Sequence, residues 1–486
     1  MRVLLIQPVP PRRYWPRGQY RSMHIPTGLA YIASTLKRAG HEVKLHIREE
    51  HLHKHNFDWA AADEVLRNLL RGFRPDLVGF SVLTPAVEET AQLARLAKQI
   101  CGLNTITVAG GVHPTAMGRE MLETIPELDL VVLGEGEMTL LELANGKPPA
   151  EVPGLLYRHN GGYPQTSPQP PVRDLDQLAP IDYDMFDMNY YTAPSRWLIR
   201  WLEMPAMNLR TSRGCTHRCR FCAGHLVSGL GVRFHSIERV VEWMQMAVER
   251  FHVRGIHFED DTLGANPERL VALCQTLRRY GLERRLCWDG CLRVDQASPE
   301  LLAEMKAAGC IQIEYGFESA SDAALRRLGK GATAALNRRA VELTRRAGLR
   351  IYADIMIGLP GETRADLQAT YDFLRWAAPE VVSFGIMGAL PGTPLFAALP
   401  EETRRSLDYG TYAYFDITRG VNLTAMGDEE FEKTAHRLNR YFIQPWMTRQ
   451  MLHDTPKDNT TVRRRLRRRL RRFLWRHPIR YAHLPR

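Results

Sequence analysis

Short apolar, β-branched runs alternate with helical patterns along the first 147 residues. Helical patterns lie at about 28–39, 59–71, 86–100 and 115–124. Between them stand the predicted strands, Val3–Ile6, Val43–Ile47, Leu77–Phe80, Ile106–Ala109 and Leu130–Leu133. Such alternation predicts an α/β domain of the doubly wound, Rossmann-like type, with helices on both faces of a parallel sheet. Ligands of such sheets bind beyond the carboxyl ends of the strands.

The alternation returns in the second half of the chain as six strand–helix units. Helical patterns follow the strands near 236–250, 267–280, 299–308, 320–328, 334–347 and 364–377. The strands are predicted to start near Ala206, Gly255, Leu286, Cys310, Ile351 and Val381. Six units suit an open (β/α)6 partial barrel, in which chemistry is carried at the carboxyl ends of the strands.

Other stretches fall outside these two patterns and set the predicted boundaries. Residues 148–200 are rich in proline, tyrosine and polar turns and are predicted to be an ordered linker. A helical cap and an arginine-rich tail are predicted after the barrel. The predicted division of the chain is 1–147, 148–200, 201–400, 401–456 and 457–486.

The formal net charge of +11 belongs to the tail. From Lys457 onward there are twelve basic residues and one acid, Asp458, so the rest of the chain is balanced. Apolar residues of the tail fall on one helical face. Three interpretations stay open: a membrane-surface helix, a site for an anionic partner such as nucleic acid, or a solvated tail. The balanced body argues against nucleic acid as a substrate.

The lengths of the apolar runs and the number of cysteines indicate the cellular compartment. No stretch approaches 18 uninterrupted apolar residues, and the first run is too short for a signal peptide. Eight cysteines in 486 residues, with no export signal, fit a reducing cytoplasm. We therefore expect a cytoplasmic protein, with peripheral contact at the inner membrane surface if the tail binds lipid.

Three of the cysteines, Cys215, Cys219 and Cys222, have the spacing C-x3-C-x2-C, close enough for one loop to hold one metal centre. Thiolates hold iron–sulfur clusters, and four ligands would complete a four-iron cluster. Three ligands leave one iron open to another molecule. A zinc site with His217 or His225 as the fourth ligand is the alternative.

The segment Met207–Ser212 runs into this loop as a strand, and Phe221 stands beside the last cysteine. With these neighbours the loop resembles the cluster loop of radical S-adenosylmethionine (SAM) enzymes. The resemblance implies a [4Fe-4S] cluster on the three cysteines, whose open iron chelates the amino and carboxylate groups of SAM.

The same resemblance assigns SAM contacts at the barrel's strand ends. Glu259 and Asp260 stand where the family holds SAM's amino group, although the usual Gly-Gly-Glu is replaced. Arg293 is implied to pair with SAM's carboxylate, since guanidinium forks match carboxylates. The remaining implied contacts are Glu318 and Ser319 to the ribose, and Gly358 and Pro391 near the adenine. Two further cysteines, Cys287 and Cys291, are expected to be structural.

Strand-end loops of the first domain resemble those of the cobalamin-binding domain that precedes many radical SAM cores. The residues implied to bind cobalamin are Ser81, Thr84, Gly110, Gly111, His113, Gly134, Glu135 and Gly136. The Asp-x-His-x-x-Gly motif is absent, so we expect no protein histidine on cobalt. The histidine run at 41, 46, 51, 53 and 55 is predicted to be solvated surface rather than a metal site.

The resemblance implies a cobalamin-dependent radical SAM enzyme that methylates an unactivated carbon of a natural-product or lipid-like small molecule. An external reductant such as flavodoxin or ferredoxin is implied as its partner. An oxidative cyclase, of the anaerobic magnesium-protoporphyrin cyclase type, is the alternative enzyme, and a sensor without catalysis is the alternative of another class. No residue pattern identifies the substrate.

Overall fold

A computed structural model describes residues 1–14, 23–412, 421–442 and 463–468. Of the predicted tail, only residues 463–468 are described, and they are helical. The rest of the tail lies outside the described residues, so its three interpretations stay open. Within the described ranges, no helix is both long and apolar enough to cross a membrane.

The first domain is a six-stranded sheet in the order β2-β1-β3-β4-β5-β6. The five predicted strands are confirmed and pair in parallel. A sixth strand, β6, comes from the start of the predicted linker and pairs antiparallel with β5. The strands are β1 Arg2–Gln7, β2 Glu42–Ile47, β3 Leu77–Ser81, β4 Ile106–Gly110, β5 Leu130–Val132 and β6 Leu155–Tyr157.

Helices cover both faces of this sheet, as predicted. Alternate residues of β1 explain why: Val3 and Leu5 join the core under α1 and α6, whereas Leu4 and Ile6 join the core under α3, α4 and α5. The helices are α1 Thr27–Arg38, α2 Arg48–Lys54, α3 Trp59–Phe73, α4 Val87–Cys101, α5 Val112–Thr124 and α6 Glu137–Ala144.

The prediction that the histidine run is solvated surface is wrong for His46. Its side chain is fully buried, and its ring stacks on His51 with centroids 4.3 Å apart. The unpredicted helix α2 brings His51 over the end of β2. Burial lowers the pKa of His46 well below its ordinary value, so the ring is neutral.

The second sheet has six parallel strands in the order β14-β13-β12-β11-β10-β7, which confirms the predicted partial barrel. Its strands are β7 Ala206–Leu209, β10 Gly255–Phe258, β11 Cys287–Leu292, β12 Cys310–Glu318, β13 Arg350–Ile357 and β14 Val381–Ile386. A small antiparallel ribbon flanks the loop that carries the three cysteines. It consists of β8 Ser212–Arg213 and β9 Arg233–Phe234.

The helices cover the outer side of the barrel. Tyr315 and Phe317 of β12 point toward them, because the Tyr315 hydroxyl lies 2.8 Å from Thr344 Oγ1 and Phe317 packs on Phe373. The residues of β12 that alternate with them, such as Gly316, therefore face the barrel interior. The helices of this half are α8 His225–Ser228, α9 Ile237–Phe251, α10 Pro267–Arg279, α11 Pro299–Ala307, α12 Asp322–Leu328, α13 Ala334–Arg346, α14 Arg364–Ala377, α15 Pro394–Ala397, α16 Glu401–Arg405 and α17 Asp428–Phe442.

The connector between the sheets is packed onto both halves. It contains one short helix, α7 Met188–Tyr191. Its aromatic residues Tyr183 and Tyr191 are buried in a hydrophobic core that includes residues of both sheets. Asp182 pairs with Lys37 of the first domain at 2.5 Å. These contacts place the carboxyl ends of the two sheets on either side of a shared space.

Candidate functional site

The loop with the three cysteines leaves the barrel at the end of β7. Gly214 has φ +94°, and a Cβ there would collide with the carbonyl oxygen of Gly231. The loop closes on the segment after α8, where Gly231 N donates to Cys215 O at 3.2 Å. Glycine at 214 therefore lets the backbone turn tightly just before the first thiol.

Contacts with helices α12 and α15 and with the segment after β10 fix the rest of this loop. Arg220 N donates to Leu328 O at 3.0 Å, and Leu395 N donates to Arg220 O at 3.2 Å. Asp261 accepts from Gly214 N at 3.1 Å. The loop is thus held by chain segments from three places in the barrel.

The three thiols differ in exposure. Cys219 is buried, Cys215 is half-buried and Cys222 is exposed. Burial raises the pKa of the Cys219 thiol, while Lys330 and Arg293 oppose the shift. Three sulfur donors on one preformed loop fit a cluster with one open iron. In the described part of the chain, no three His, Cys, Asp or Glu side chains are grouped so as to hold a single metal ion.

A buried ion pair lies near Cys219, between Glu318 Oε1 and Lys330 Nζ at 2.5 Å. Glu318 has φ +60°, a strained conformation for glutamate. A Cβ at Gly316 would lie 2.5 Å from Glu318 and 2.7 Å from Lys330, so glycine makes room for the pair. Lys330 is a functional candidate that the sequence analysis missed, because it follows a helix rather than a strand.

Arg293 is held close to this pair. Its Nη2 donates to Lys330 O at 2.8 Å, and its Nε lies 3.1 Å from Asp295. The side chain is buried, and its charge reaches Cys219 and His217. The guanidinium thus lies beside the cysteine loop, which is where a partner for SAM's carboxylate is needed. The contact itself stays a prediction.

Glu259 receives a partner from the first domain. His24 Nδ1 bonds to one oxygen of its carboxylate, and Asn208 Nδ2 donates to the other at 2.9 Å. Burial opposes ionisation, but the charge and hydrogen bond of His24 lower the pKa of Glu259 to about 2. The carboxylate is therefore ionised, and each of its oxygens, although bonded to one of these partners, has a second lone pair for a cationic amino group. His24 was not predicted, because nothing local marks it.

Two predicted SAM contacts are engaged inside the protein. Asp260 accepts from Thr211 N at 3.1 Å and from the hydroxyls of Thr211 and Ser212, so it anchors the chain entering the loop. Ser319 is fully buried, with its hydroxyl 3.2 Å from Thr370 Oγ1 of α14. For these two residues the structure shows positioning contacts rather than open polar groups.

The two predicted adenine-side turns have different neighbours. Gly358 N donates to the buried Glu362 at 2.7 Å, which closes the turn after β13. Beside Pro391, Gly392 has φ +81°, and a Cβ there would lie 2.6 Å from Leu226 and 3.0 Å from Ala116. The turn after β14 therefore packs against both the cysteine-loop helix α8 and helix α5 of the first domain.

A pocket lies between the two halves, with an enclosed volume of about 140 Å³, or about 820 Å³ when the open solvent at its mouth is counted. Four residues that flank the cysteine loop form its barrel side: Arg210 after β7, Arg213 of β8, and Val227 and Ser228 of α8. The predicted cobalamin residues in its wall are Ser81, Gly110, Gly111, Gly134, Glu135 and Gly136. The structure thus brings six of the eight predicted cobalamin residues together at the strand ends of the first domain.

Glycines keep this pocket open. Gly28 lines it and has no atom within 4 Å of the position that a Cβ would take. Gly134 has φ +82° and only one backbone atom, at 3.8 Å, near that position. Side chains at these positions would fill the space, so the wall fits a broad, flat group such as a corrin ring.

Thr84 and His113 are not among the residues of the pocket wall. The Thr84 hydroxyl lies 3.3 Å from His113 Nδ1, and Tyr409 packs edge-on against the histidine ring at 4.9 Å. Both residues are buried. Burial lowers the pKa of His113 to about 4, so the ring is a neutral packing element here.

An ion-pair network joins the pocket to the cysteine loop. Arg213 Nη2 lies 2.7 Å from Glu137 and Nη1 lies 3.2 Å from Glu135, while its guanidinium stands over the ring of Tyr31. Arg233 of the neighbouring strand pairs with Glu135 at 2.6 Å. The predicted Glu135 is therefore bound to the cysteine loop's ribbon. Sequence spacing offered no sign of this pairing, since the partners are far apart in the chain.

Comparison with known proteins agrees with this two-part site. The family model for the B12 binding domain matches residues 17–144, and that for the Radical SAM superfamily matches residues 209–374. An uncharacterized methyltransferase of Pyrococcus horikoshii is 30% identical over 424 residues, 86% of this chain and 87% of the relative. The anaerobic magnesium-protoporphyrin IX monomethyl ester cyclase of Cereibacter sphaeroides is 27% identical over 80% of this chain and 62% of the relative.

The fold is shared with a solved structure. The radical SAM methyltransferase TsrM from Kitasatospora setae, with cobalamin and a [4Fe-4S] cluster bound, superposes with a TM-score of 0.69 at 18% identity. The match covers 97% of this chain and 99% of that one. It shows that the two halves and their order form one shared architecture.

Proposed function

The chain belongs to the radical SAM enzymes that carry a B12-binding domain, and we propose that it methylates an unactivated carbon of a small molecule. Its cofactors are a [4Fe-4S] cluster, SAM and cobalamin. One observation carries the proposal: residues on both sides of the cysteine loop, Arg210 and Arg213 before it and Val227 and Ser228 after it, form a wall of the pocket predicted for cobalamin. A methyl carrier and a radical source placed on opposite sides of one space can act on the same substrate carbon.

When bound, the cluster and SAM supply a radical that removes hydrogen from carbon, and cobalamin supplies the methyl group. The protein's own part is binding and orientation. Cys215, Cys219 and Cys222 hold the cluster. Glu259, ionised by His24, takes the amino group of SAM, and Arg293 takes its carboxylate.

The buried pair Glu318–Lys330 has a further role in this proposal. Its carboxylate stands at the end of β12, on the inner side of the barrel, where it accepts the ribose hydroxyls of SAM. Lys330 keeps that buried carboxylate ionised against the effect of burial, which raises the pKa of Glu318. The strained φ of Glu318 aims the side chain at the site.

The substrate in this proposal is a natural-product or lipid-like small molecule. The methyltransferase relative in Pyrococcus horikoshii supports methyl transfer, and it covers most of both chains. An external reductant such as flavodoxin or ferredoxin reduces the cluster. A cytoplasmic location, with peripheral membrane contact through the tail, stays part of the proposal.

Oxidative ring formation is the second candidate. It is favoured by the similarity to the cyclase of Cereibacter sphaeroides, which spans four fifths of this chain. The two reactions differ in product mass, because methylation adds one methylene unit and cyclisation does not. The test is mass spectrometry of products from a host extract or candidate substrates, treated anaerobically with the reconstituted protein, SAM and a reductant.

The decisive comparison in that experiment uses SAM with a deuterated methyl group. Methylation predicts a product that carries the label and that is absent with the Cys219→Ala variant. A product without label, formed only by the wild type, would replace methylation by cyclisation or another radical rearrangement.

A further inference from the structure

Arg210 stands in the wall between the interdomain pocket and the barrel interior. It directly follows β7, and its side chain lines the pocket together with Arg213. Its guanidinium makes no hydrogen bond or ion pair with any residue that the structure describes, and its Nε is buried without a partner. A cation in this position is unexplained by the contacts of the protein itself.

The neighbouring acids, Glu259 and Asp260, form hydrogen bonds with other residues. The charge of Arg210 acts to lower the pKa of both Glu259 and Asp260, so the guanidinium is close to each, although burial raises the pKa of Asp260. However, Glu259 is bonded to His24 and Asn208, and Asp260 is bonded to the start of the cysteine loop. By contrast, Arg213 on the same wall has two carboxylate partners. Of these two arginines in the pocket wall, Arg210 alone keeps its hydrogen-bond donors unused among the described residues.

Leaving a half-buried guanidinium unpaired has a free-energy cost, because its donors lose water without gaining acceptors. A ligand with an anionic group removes that cost when it binds. The planar fork of five donors matches phosphate and carboxylate oxygens better than any other side chain does. The surrounding glycine-lined space is large enough to admit such a group.

We propose that Arg210 is an anion-binding subsite of the interdomain pocket, which takes a phosphate or carboxylate group of the bound ligand. The inference rests on the proposed function in one respect, namely that this pocket holds cobalamin and borders the substrate. Two molecules can supply the anion there: cobalamin, through the phosphate of its nucleotide loop, or the substrate, through an acidic group of its own.

Binding measurements separate these sources. The variants are Arg210→Gln, Arg210→Lys and the control Arg279→Gln, an exposed arginine on the outer helix α10. Dissociation constants are measured by absorbance titration for hydroxocobalamin and for cobinamide, which lacks the nucleotide and its phosphate. If the anion belongs to cobalamin, Arg210→Gln raises the dissociation constant of cobalamin at least tenfold and that of cobinamide by less than twofold. Arg210→Lys then recovers part of the lost affinity for cobalamin.

A second set of probes covers the substrate source. Phenyl phosphate, phenylacetate and benzyl alcohol are titrated into the cobalamin-loaded, cluster-containing protein, and the rise in melting temperature is recorded. If the anion is the substrate's, phenyl phosphate or phenylacetate stabilises the wild type and Arg279→Gln by several degrees. Benzyl alcohol does not raise the melting temperature of either protein. In Arg210→Gln the acidic probes give no larger rise than benzyl alcohol.

The proposal is overturned if Arg210→Gln changes neither cobalamin affinity nor the response to the acidic probes. Equal weakening of cobalamin and cobinamide would also overturn it, since Arg210 would then touch a neutral part of the corrin. Should Arg210→Gln fold poorly, Arg210→Lys and the probe series on the wild type test the same subsite. None of these assays needs turnover, so a protein that binds anions through Arg210 yet transfers no methyl group refutes only the proposed function.

Discussion

Arg213 Nη2 lies 2.7 Å from Glu137 Oε1, and both side chains are buried. This contact joins the residue before Gly214 and Cys215 to the first residue of α6, at the rim of the cobalamin-side pocket. Burial opposes the charge of Arg213, but Glu137 and Glu135 outweigh it and raise the pKa of the guanidinium. The position of the cysteine loop relative to the first domain therefore depends on a fixed, desolvated ion pair.

Replacing Glu137 by Gln removes one partner and leaves Arg213 buried with less compensation. Breaking a buried pair in this way costs about 3–5 kcal/mol, so we expect the free energy of unfolding to fall by roughly that amount. The measurement is urea denaturation followed by circular dichroism.

The matched control is Glu64→Gln, which removes an exposed partner of Arg71. Exposed pairs contribute about 0–1 kcal/mol, so the control should stay close to the wild type. Equal effects of the two substitutions would mean that the interdomain pair does not hold the loop.

Gly316→Ala should impair SAM binding without unfolding the barrel. The added methyl group would lie 2.5 Å from Glu318 and 2.7 Å from Lys330, so this ion pair must separate or shift. We expect SAM affinity, measured by equilibrium dialysis on the reconstituted protein, to fall about tenfold or more, which corresponds to about 1.4 kcal/mol.

Gly72→Ala serves as the control for Gly316→Ala, because no atom lies within 4 Å of the new methyl group. This glycine is inside α3, where alanine is the better helix former, so SAM affinity should be unchanged and stability slightly higher. Unaltered SAM affinity in Gly316→Ala would argue against a role of the Glu318–Lys330 pair at the cofactor.

Cysteine substitutions should separate ligands from structural thiols. Cys219→Ala is expected to lose the cluster, whereas Cys291→Ala, inside the barrel, should keep about four irons per chain. Iron and zinc are counted by plasma mass spectrometry after anaerobic reconstitution. Stoichiometric zinc in the wild type would establish the zinc alternative, and loss of iron in Cys291→Ala would show that this thiol is not merely structural.

Stability should depend on pH through His113. Its pKa is about 4 in the folded protein and 6.5 ordinarily, so the unfolded chain binds a proton first as the pH falls. Through His113, the free energy of unfolding is therefore highest above pH 6.5. It falls by about 3 kcal/mol as the pH is lowered toward 4. The free energy of unfolding is measured by urea denaturation at several pH values across this range. Its slope against pH should be shallower for His113→Gln than for the wild type.

A His113→Gln variant with the slope of the wild type would mean that His113 is protonated without cost in the folded protein. Other buried histidines, such as His235 with a pKa of about 4, contribute the slope that remains.

Periodicity predicted the strands of both sheets except β6, since apolar alternation is a local property of the chain; the order of the strands within each sheet comes from the structure. It also predicted which loops carry the site, because the carboxyl ends of parallel strands share one edge. What it missed depends on tertiary contact. His24 reaches Glu259 across 235 positions, and Lys330 reaches Glu318 from the loop after α12. No spacing rule connects such residues.

The error at His46 has the same origin. A polar residue at the end of an edge strand is ordinarily exposed, and the apolar pattern around it gives no sign of burial. Helix α2 is only seven residues long, yet it covers this position and carries His51 onto the ring. Residues whose burial depends on a short, unpredicted element cannot be classified from periodicity alone.

We propose that one site holds a SAM-cleaving cluster beside a methyl-carrying corrinoid. The decisive measurement is mass spectrometry of one anaerobic reaction, which contains the reconstituted protein, cobalamin, a strong reductant and SAM with a deuterated methyl group. We expect 5′-deoxyadenosine and a protein-bound corrinoid that carries the deuterated methyl group, with 5′-deoxyadenosine absent from the Cys219→Ala reaction. A wild-type reaction with neither product would contradict it and would favour a sensor that binds these cofactors without catalysis.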